Sequence, residues 1–327
     1  MKIACQLVIF AIFATLGVPV SAEQEPEEVL KAITKIRTLV PENARTARSL
    51  GTEREGNGVV IDSNGLVLTI GYLIVEAETI EVIDSQGNVV SAVFLAYDDR
   101  SGFGLLRANK PLEVVPMKLG RSSEVNVGDP LLVAGYGGPD AVQGVRVVSR
   151  QEFAGYWEYL LEDAIFTLPP YANFGGAALI GPDGQLLGIG SLYTQVTVSG
   201  LGSVPSNMFV PIDHLKPILT DLLTKGRSSE PPRPWLGMYA EEAHGRVIVV
   251  RISPEGPAEK AGIRPGDIVL SVNKNVVKGL SDFYRNVWAL GIAGIGVPIT
   301  VLQGVQIRDI IVHSADRYQY FRTNRKQ

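Results

Sequence analysis

The sequence predicts a mainly β chain of two units: an antiparallel sandwich or barrel, then a smaller unit of mixed strands and helices. Three observations carry this. From about Gly51, short apolar runs recur between glycine-containing turns, the pattern of an all-β domain. A proline-stiffened stretch, Arg227 to Pro234, then interrupts the pattern. Beyond it, strand-like runs alternate with two short helix-like segments. A length of 327 residues suits about two domains. Apolar residues at 46% and charged residues at 20% supply a core and exclude a disordered chain.

Taken in order, the chain opens on Met1-Lys2, an apolar run from Leu7 to Leu16, and the small-residue site Val20-Ser21-Ala22. This is the pattern of a cleaved secretory signal peptide over residues 1–22. The run is shorter than the ~20 residues of a membrane span, so membrane attachment is expected only if the leader stays uncleaved. Cys5, the sole cysteine, precedes the run and leaves with it. That excludes a disulfide framework, a CxxC redox site and a cysteine-based zinc site. Loss of Lys2 takes the net charge from −4 to −5, which argues against nucleic-acid binding through bulk charge.

Residues 23–50 read as a polar N-terminal segment with apolar positions at Val29, Leu30, Ile33 and Ile36. Strand runs follow: VVID and LVLTI around the turn Ser63-Asn64-Gly65, then TIEVID and VVSAVFLAY around Ser85 to Asn88. Further runs are PLLVAGY, GVRVVS and QLLGIGSL. Asp213 to Lys225 reads as a helix with Leu215, Leu219 and Leu222 on one face, Pro217 in its first turn and Gly226 at its end. After the linker come strands WLGMYA and RVIVVRI, a short helix at PAEKA, strand DIVLSVN, a helix SDFYRNVWAL with Ser281 as N-cap, and strands PITVLQ and DIIVHS. Residues 316–327 read as a basic, solvated tail.

Four segments carry a resemblance. They are GNGVVIDSNGLVLT (56–69), LGRSSEVNVGDPLLVAG (119–135), NFGG (173–176) with LIGPDGQLLG (179–188), and GPAEKAGIRPGDIVL (256–270). In this order the chain resembles the HtrA/Deg family of secreted trypsin-like serine proteases with a C-terminal PDZ domain. The resemblance implies a trypsin-like double β-barrel over 51–226, a linker over 227–234 and an α+β PDZ domain over 235–315.

Serine-triad catalysis needs a hydroxyl nucleophile, an imidazole base and an orienting carboxylate. The resemblance puts the histidine position at Tyr72, the aspartate position at Gly102 and the serine position at Phe174. A phenol of pKa about 10 is a poor base at neutral pH. Glycine has no carboxylate and phenylalanine no nucleophile. The oxyanion-loop position is Ala172 where the family has glycine. The three histidines are His214, His244 and His313, so no imidazole precedes residue 214. The expectation is a pseudoprotease, with Tyr72 and Phe174 either filling the old cleft or leaving it able to take an extended peptide. The histidines are too dispersed for a zinc site, and no metal or other cofactor is expected.

A PDZ domain binds an extended chain end on a sheet edge, its carboxylate captured by backbone N–H groups. The resemblance assigns that loop to Trp235, Leu236, Gly237 and Met238. The following helix supplies Tyr284, Val287 and Trp288 as groove lining or, alternatively, as core. The expected partners are C-terminal or extended peptide segments, and by hypothesis an active protease paralogue. The expected role is a secreted adaptor, scaffold or regulator in envelope quality control, most simply in a Gram-negative periplasm. An active endopeptidase and a chaperone-like holdase or structural scaffold are the alternatives.

Overall fold

A computed structural model describes residues 26–321, so the leader expected over 1–22 lies outside the described residues. Twelve strands close into two six-stranded antiparallel barrels, ordered β1-β2-β3-β6-β5-β4 and β10-β11-β12-β9-β8-β7. The first begins with helix α1 (Pro26–Lys31) and strands β1 (Ile33–Leu39), β2 (Glu53–Val60), β3 (Leu66–Ile70), β4 (Thr79–Ile83), β5 (Val89–Tyr97) and β6 (Phe103–Ala108), with helix α2 (Ala47–Leu50) between β1 and β2. The second uses β7 (Pro130–Ala134), β8 (Val142–Gly155), β9 (Tyr159–Leu168), β10 (Ala178–Ile180), β11 (Leu186–Val198) and β12 (Gly202–Pro211). Helix α3 (Leu219–Lys225) ends this domain.

The third sheet runs β13-β14-β15-β17-β18, with β16 paired to β15. Its strands are β13 (Met238–Ala243), β14 (Arg246–Ile252), β15 (Ile268–Val272), β16 (Asn275–Val276), β17 (Gly296–Gln303) and β18 (Gln306–His313). Helices α4 (Pro257–Lys260) and α5 (Leu280–Trp288) accompany it, and α6 (Arg317–Tyr320) follows. The mainly β architecture expected from the turn-separated runs is therefore the observed one.

Several local expectations change. Residues 33–39 are not part of a leading segment: β1 pairs with both β2 and β4 and closes the first barrel. Thr34, Ile36 and Thr38 turn inward while Arg37 and Leu39 face out, so two polar inward residues blur the period-2 signal. The helix expected over 213–225 is split into a turn at Ile212–His214 and α3, because Pro217 offers no N–H to carry the ladder through. Helix α5 begins one residue earlier than Ser281, with Gly279 as its cap residue. Strands β9 and β12 carry Glu162-Asp163 and Ser203 to Asn207 midway, which hides them from a hydrophobic pattern.

The linker and tail are anchored. The Arg100 guanidinium donates to the Pro231 carbonyl at 2.7 Å, and the Ala293 N–H to that of Pro232 at 2.9 Å. Arg233 lies over the Trp288 ring. The tail is not solvated from residue 316. Asp316 caps α6 and pairs with Arg227. The Tyr318 hydroxyl donates to the Tyr97 carbonyl of the first barrel at 2.8 Å, and the Tyr320 ring packs on Trp235. These half-buried aromatic contacts hold the stretch against the body of the protein; Arg322 to Gln327 lie outside the described residues.

Candidate functional site

Two concave surfaces hold the residues singled out from the sequence. The first is a cleft of about 500 Å³ between the barrels, lined by Asn57, Tyr72, Tyr136, Ala172, Phe174 and Gly175 among others. At the end of β3 a 3-10 turn over Gly71–Leu73 projects Tyr72 into it. Gly71 is required here, since a Cβ would stand 2.2 Å from the Tyr97 ring. The Tyr72 hydroxyl crosses to the second barrel and donates to the Ser191 carbonyl at 3.0 Å. Burial pushes the phenol well above its ordinary range, so Tyr72 is a neutral donor and not a base.

Asn57 fixes the opposite wall. Its Nδ2 donates to the carbonyls of Asn173 (2.7 Å) and Gly175 (3.0 Å), and its Oδ1 accepts from the Tyr136 N–H (2.8 Å). Gly176 at φ +75° lets this loop approach β2, where a Cβ would sit 1.9 Å from the Asn57 carbonyl. Phe174 is half-buried on this loop; Ala172 and Asn173 are exposed.

Gly102 does not line this cleft. It faces a neighbouring cavity of about 160 Å³ on the other side of Tyr72, walled by Tyr97, Tyr156, Trp157 and Tyr159 among others. Its φ of +85° closes the turn from Asp98, whose carboxylate accepts from the Ser101 N–H and hydroxyl at 2.8 and 2.6 Å. Tyr72 thus stands between the positions of Phe174 and Gly102. Among the described residues lining the main cleft there is no serine, cysteine or histidine.

The second surface is the edge of β13 facing α5. Gly237 at φ +75° turns the Trp235–Met238 loop so that its amides converge. The N–H of Leu236 and that of Met238 each donate at 2.9 Å to the two oxygens of one carboxylate, Glu158. Glu158 sits at the tip of the β8–β9 hairpin, in the loop Tyr156-Trp157-Glu158 closed by the Gly155–Tyr159 pair. Burial, at 6% exposure, raises its pKa to about 7, against the downward pull of the loop amides.

The hairpin continues along the groove. The Ala240 N–H donates to the Tyr156 carbonyl at 2.8 Å. Across the groove the Tyr284 hydroxyl donates to the Gly155 carbonyl at 2.8 Å and accepts from the Glu158 N–H at 3.2 Å. Trp288 stacks on Tyr284. Val287 is buried in the core of this domain, and the Trp235 ring turns to Tyr320 instead of the groove. Sequence reasoning missed both pinning residues, Asn57 and Glu158. The only signal for Glu158 is an acidic residue inside the aromatic run Tyr156-Trp157-Glu158-Tyr159.

Two paired barrels with a cleft between them, followed by an edge-grooved α+β domain, define a trypsin-like domain joined to a PDZ domain. The family model described as a trypsin-like peptidase domain matches residues 56–189, and that of the PDZ domain matches 234–313. The pairing is similar to that of HtrA- and DegP-type proteases. Over 229 residues the chain is 28% identical to the serine endoprotease DegS of Haemophilus influenzae, covering 67% of this chain and 64% of that one. Over 269 residues it is 28% identical to a probable periplasmic serine endoprotease, DegP-like, of Pseudomonas fluorescens, covering 76% and 54%. The chain thus spans less than two thirds of the length of either relative. Among solved structures it shares the fold of the HtrA-type protease AlgW with decapeptide, at TM-score 0.52, 20% identity and coverage of 89% and 98%. It likewise shares that of the serine endoprotease from Yersinia pestis, at TM-score 0.51, 20% identity and the same coverage.

Proposed function

We propose that this chain binds peptide segments through its PDZ domain and does not cut them, serving as an adaptor, scaffold or regulator of envelope protein quality control. One observation carries the reading. The cleft that would cut presents Tyr72 and Phe174, with Gly102 behind them, while the groove that would bind presents converging amides to a carboxylate. Without the triad, a serine protease loses on the order of a million-fold in turnover. The relatives named periplasmic support a periplasmic setting, in keeping with the leader pattern at residues 1–22. The structural neighbour carrying a decapeptide supports peptide as the ligand class.

The relatives' names favour a second reading, an active endopeptidase. A cleavage assay on unfolded casein decides between them. The unmodified chain is expected to give no turnover above background, as is its Phe174→Ala variant. Turnover by the unmodified chain that resists removal of contaminating proteases overturns the reading. The triple variant Tyr72→His, Gly102→Asp, Phe174→Ser serves as the gain-of-function comparison.

A further inference from the structure

We propose that the PDZ groove is closed in cis: the β8–β9 hairpin docks on the β13 edge as a tethered ligand, with the Glu158 carboxylate in the terminal-carboxylate position. The proposal rests on the peptide-binding reading of this groove and adds its regulation. A peptide ending in a free carboxylate then binds only by displacing the hairpin.

The register supports a ligand mimic over incidental packing. β13 is the edge strand of its sheet, so its outer N–H groups are free to pair with an added strand. Met238 and Ala240, two residues apart, donate to Glu158 and Tyr156, also two residues apart and in reverse order. That is the step of an antiparallel added strand whose last position supplies the carboxylate. Helix α5 closes the other side through Tyr284, and Arg285 pairs with Glu152 at the base of the hairpin.

The hairpin itself is shaped for this. Glu158 holds φ +58°, a left-handed conformation that glycine or asparagine adopts more easily in such a loop. Strain of this kind persists where surrounding contacts over-determine it. Here those contacts are the loop amides and Tyr284. Because the hairpin is tethered, it competes at high effective concentration, and apparent peptide affinity falls in proportion to the open fraction.

Two variants of the full chain test this. Glu158→Gln keeps the shape but sets an NH2 group against one of the loop amides. Glu158→Gly removes the carboxylate and relieves the positive φ, so the hairpin turn survives. The probe is a pool of fluorescent decapeptides with randomised last four residues and free carboxylates, with an amide-capped pool as control. Hydrogen exchange at the Leu236 and Met238 amides gives a ligand-free readout. Both variants are expected to speed that exchange and to bind the free-carboxylate pool at least about tenfold more tightly than the unmodified chain. Faster exchange with no preference for the free-carboxylate pool sinks the peptide-binding reading and leaves the latch standing. Exchange and affinity unchanged in both variants overturn the latch.

Discussion

The barrel cleft and the PDZ groove are built in opposite ways. In the cleft a backbone frame holds a wall on which Tyr72 and Phe174 are the side chains presented. Asn57 draws the 173–175 loop inward, Gly71 permits the tight turn after β3, and Gly176 permits close approach of that loop to β2. In the groove the recognition groups are in place, and another part of the same chain occupies them. This frame rests on glycines and one side-chain amide and not on the side chains that line the cleft. A recognition loop is sensitive to whatever carboxylate lies nearest. If the proposed latch holds, occupancy of the groove sets when peptide binds, and the cleft contributes rigidity.

The sharpest way to break that contrast is to attack the frame. In Gly176→Ala a Cβ would enter within 1.9 Å of the Asn57 carbonyl, at φ +75°. The expected cost is about 4 kcal/mol, the upper range for one substitution, measured by chemical denaturation. A cost below about 1 kcal/mol would mean the loop yields freely, and the cleft could not be called a rigid frame. Phe174→Ala comes next. The ring is half-buried, so truncation should cost about 1–2 kcal/mol, less than for a fully buried ring. Tyr72→Phe, which leaves the Ser191 carbonyl without its donor, should cost about 1 kcal/mol. Neither should change binding of the peptide pool. A change in affinity with either variant would mean that the cleft takes part in recognition.

The sequence makes the frame legible and hides the occupancy, for physical reasons. Runs such as VVSAVFLAY and RVIVVRI are strands as read, since alternation and turn glycines act locally. Strand β1 is harder to see, because Thr38 enters the core through a hydrogen bond to the Leu73 carbonyl that no hydropathy pattern reveals. Tyr72, Gly102 and Phe174 are singled out by motif order alone, and only the structure shows that Gly102 faces a separate cavity behind Tyr72. The amides of Leu236 and Met238 lie some eighty residues from the carboxylate they bind. No spacing rule reaches that far: the contact exists because the hairpin and the sheet edge meet in space.

The finest effect expected is on pH. The docked Glu158 carboxyl has its pKa raised by burial to about 7, from an ordinary 4.5, despite the loop amides. The charged and titratable groups near it, both through space, are the Tyr284 phenol on α5 and Arg317 on α6. Docking therefore takes up a proton between these two values. It is most favourable at the acid end and loses driving force as pH rises toward 7. Affinity for the peptide pool should accordingly fall several-fold from pH 7.5 to pH 5.5 in the unmodified chain, relative to Glu158→Gln. The ratio cancels titration of the peptides' own carboxylates. A flat ratio would show that Glu158 exchanges no proton on docking. A ratio moving the other way would mean the loop amides outweigh burial, so that the latch is held by the charged carboxylate and released by acid.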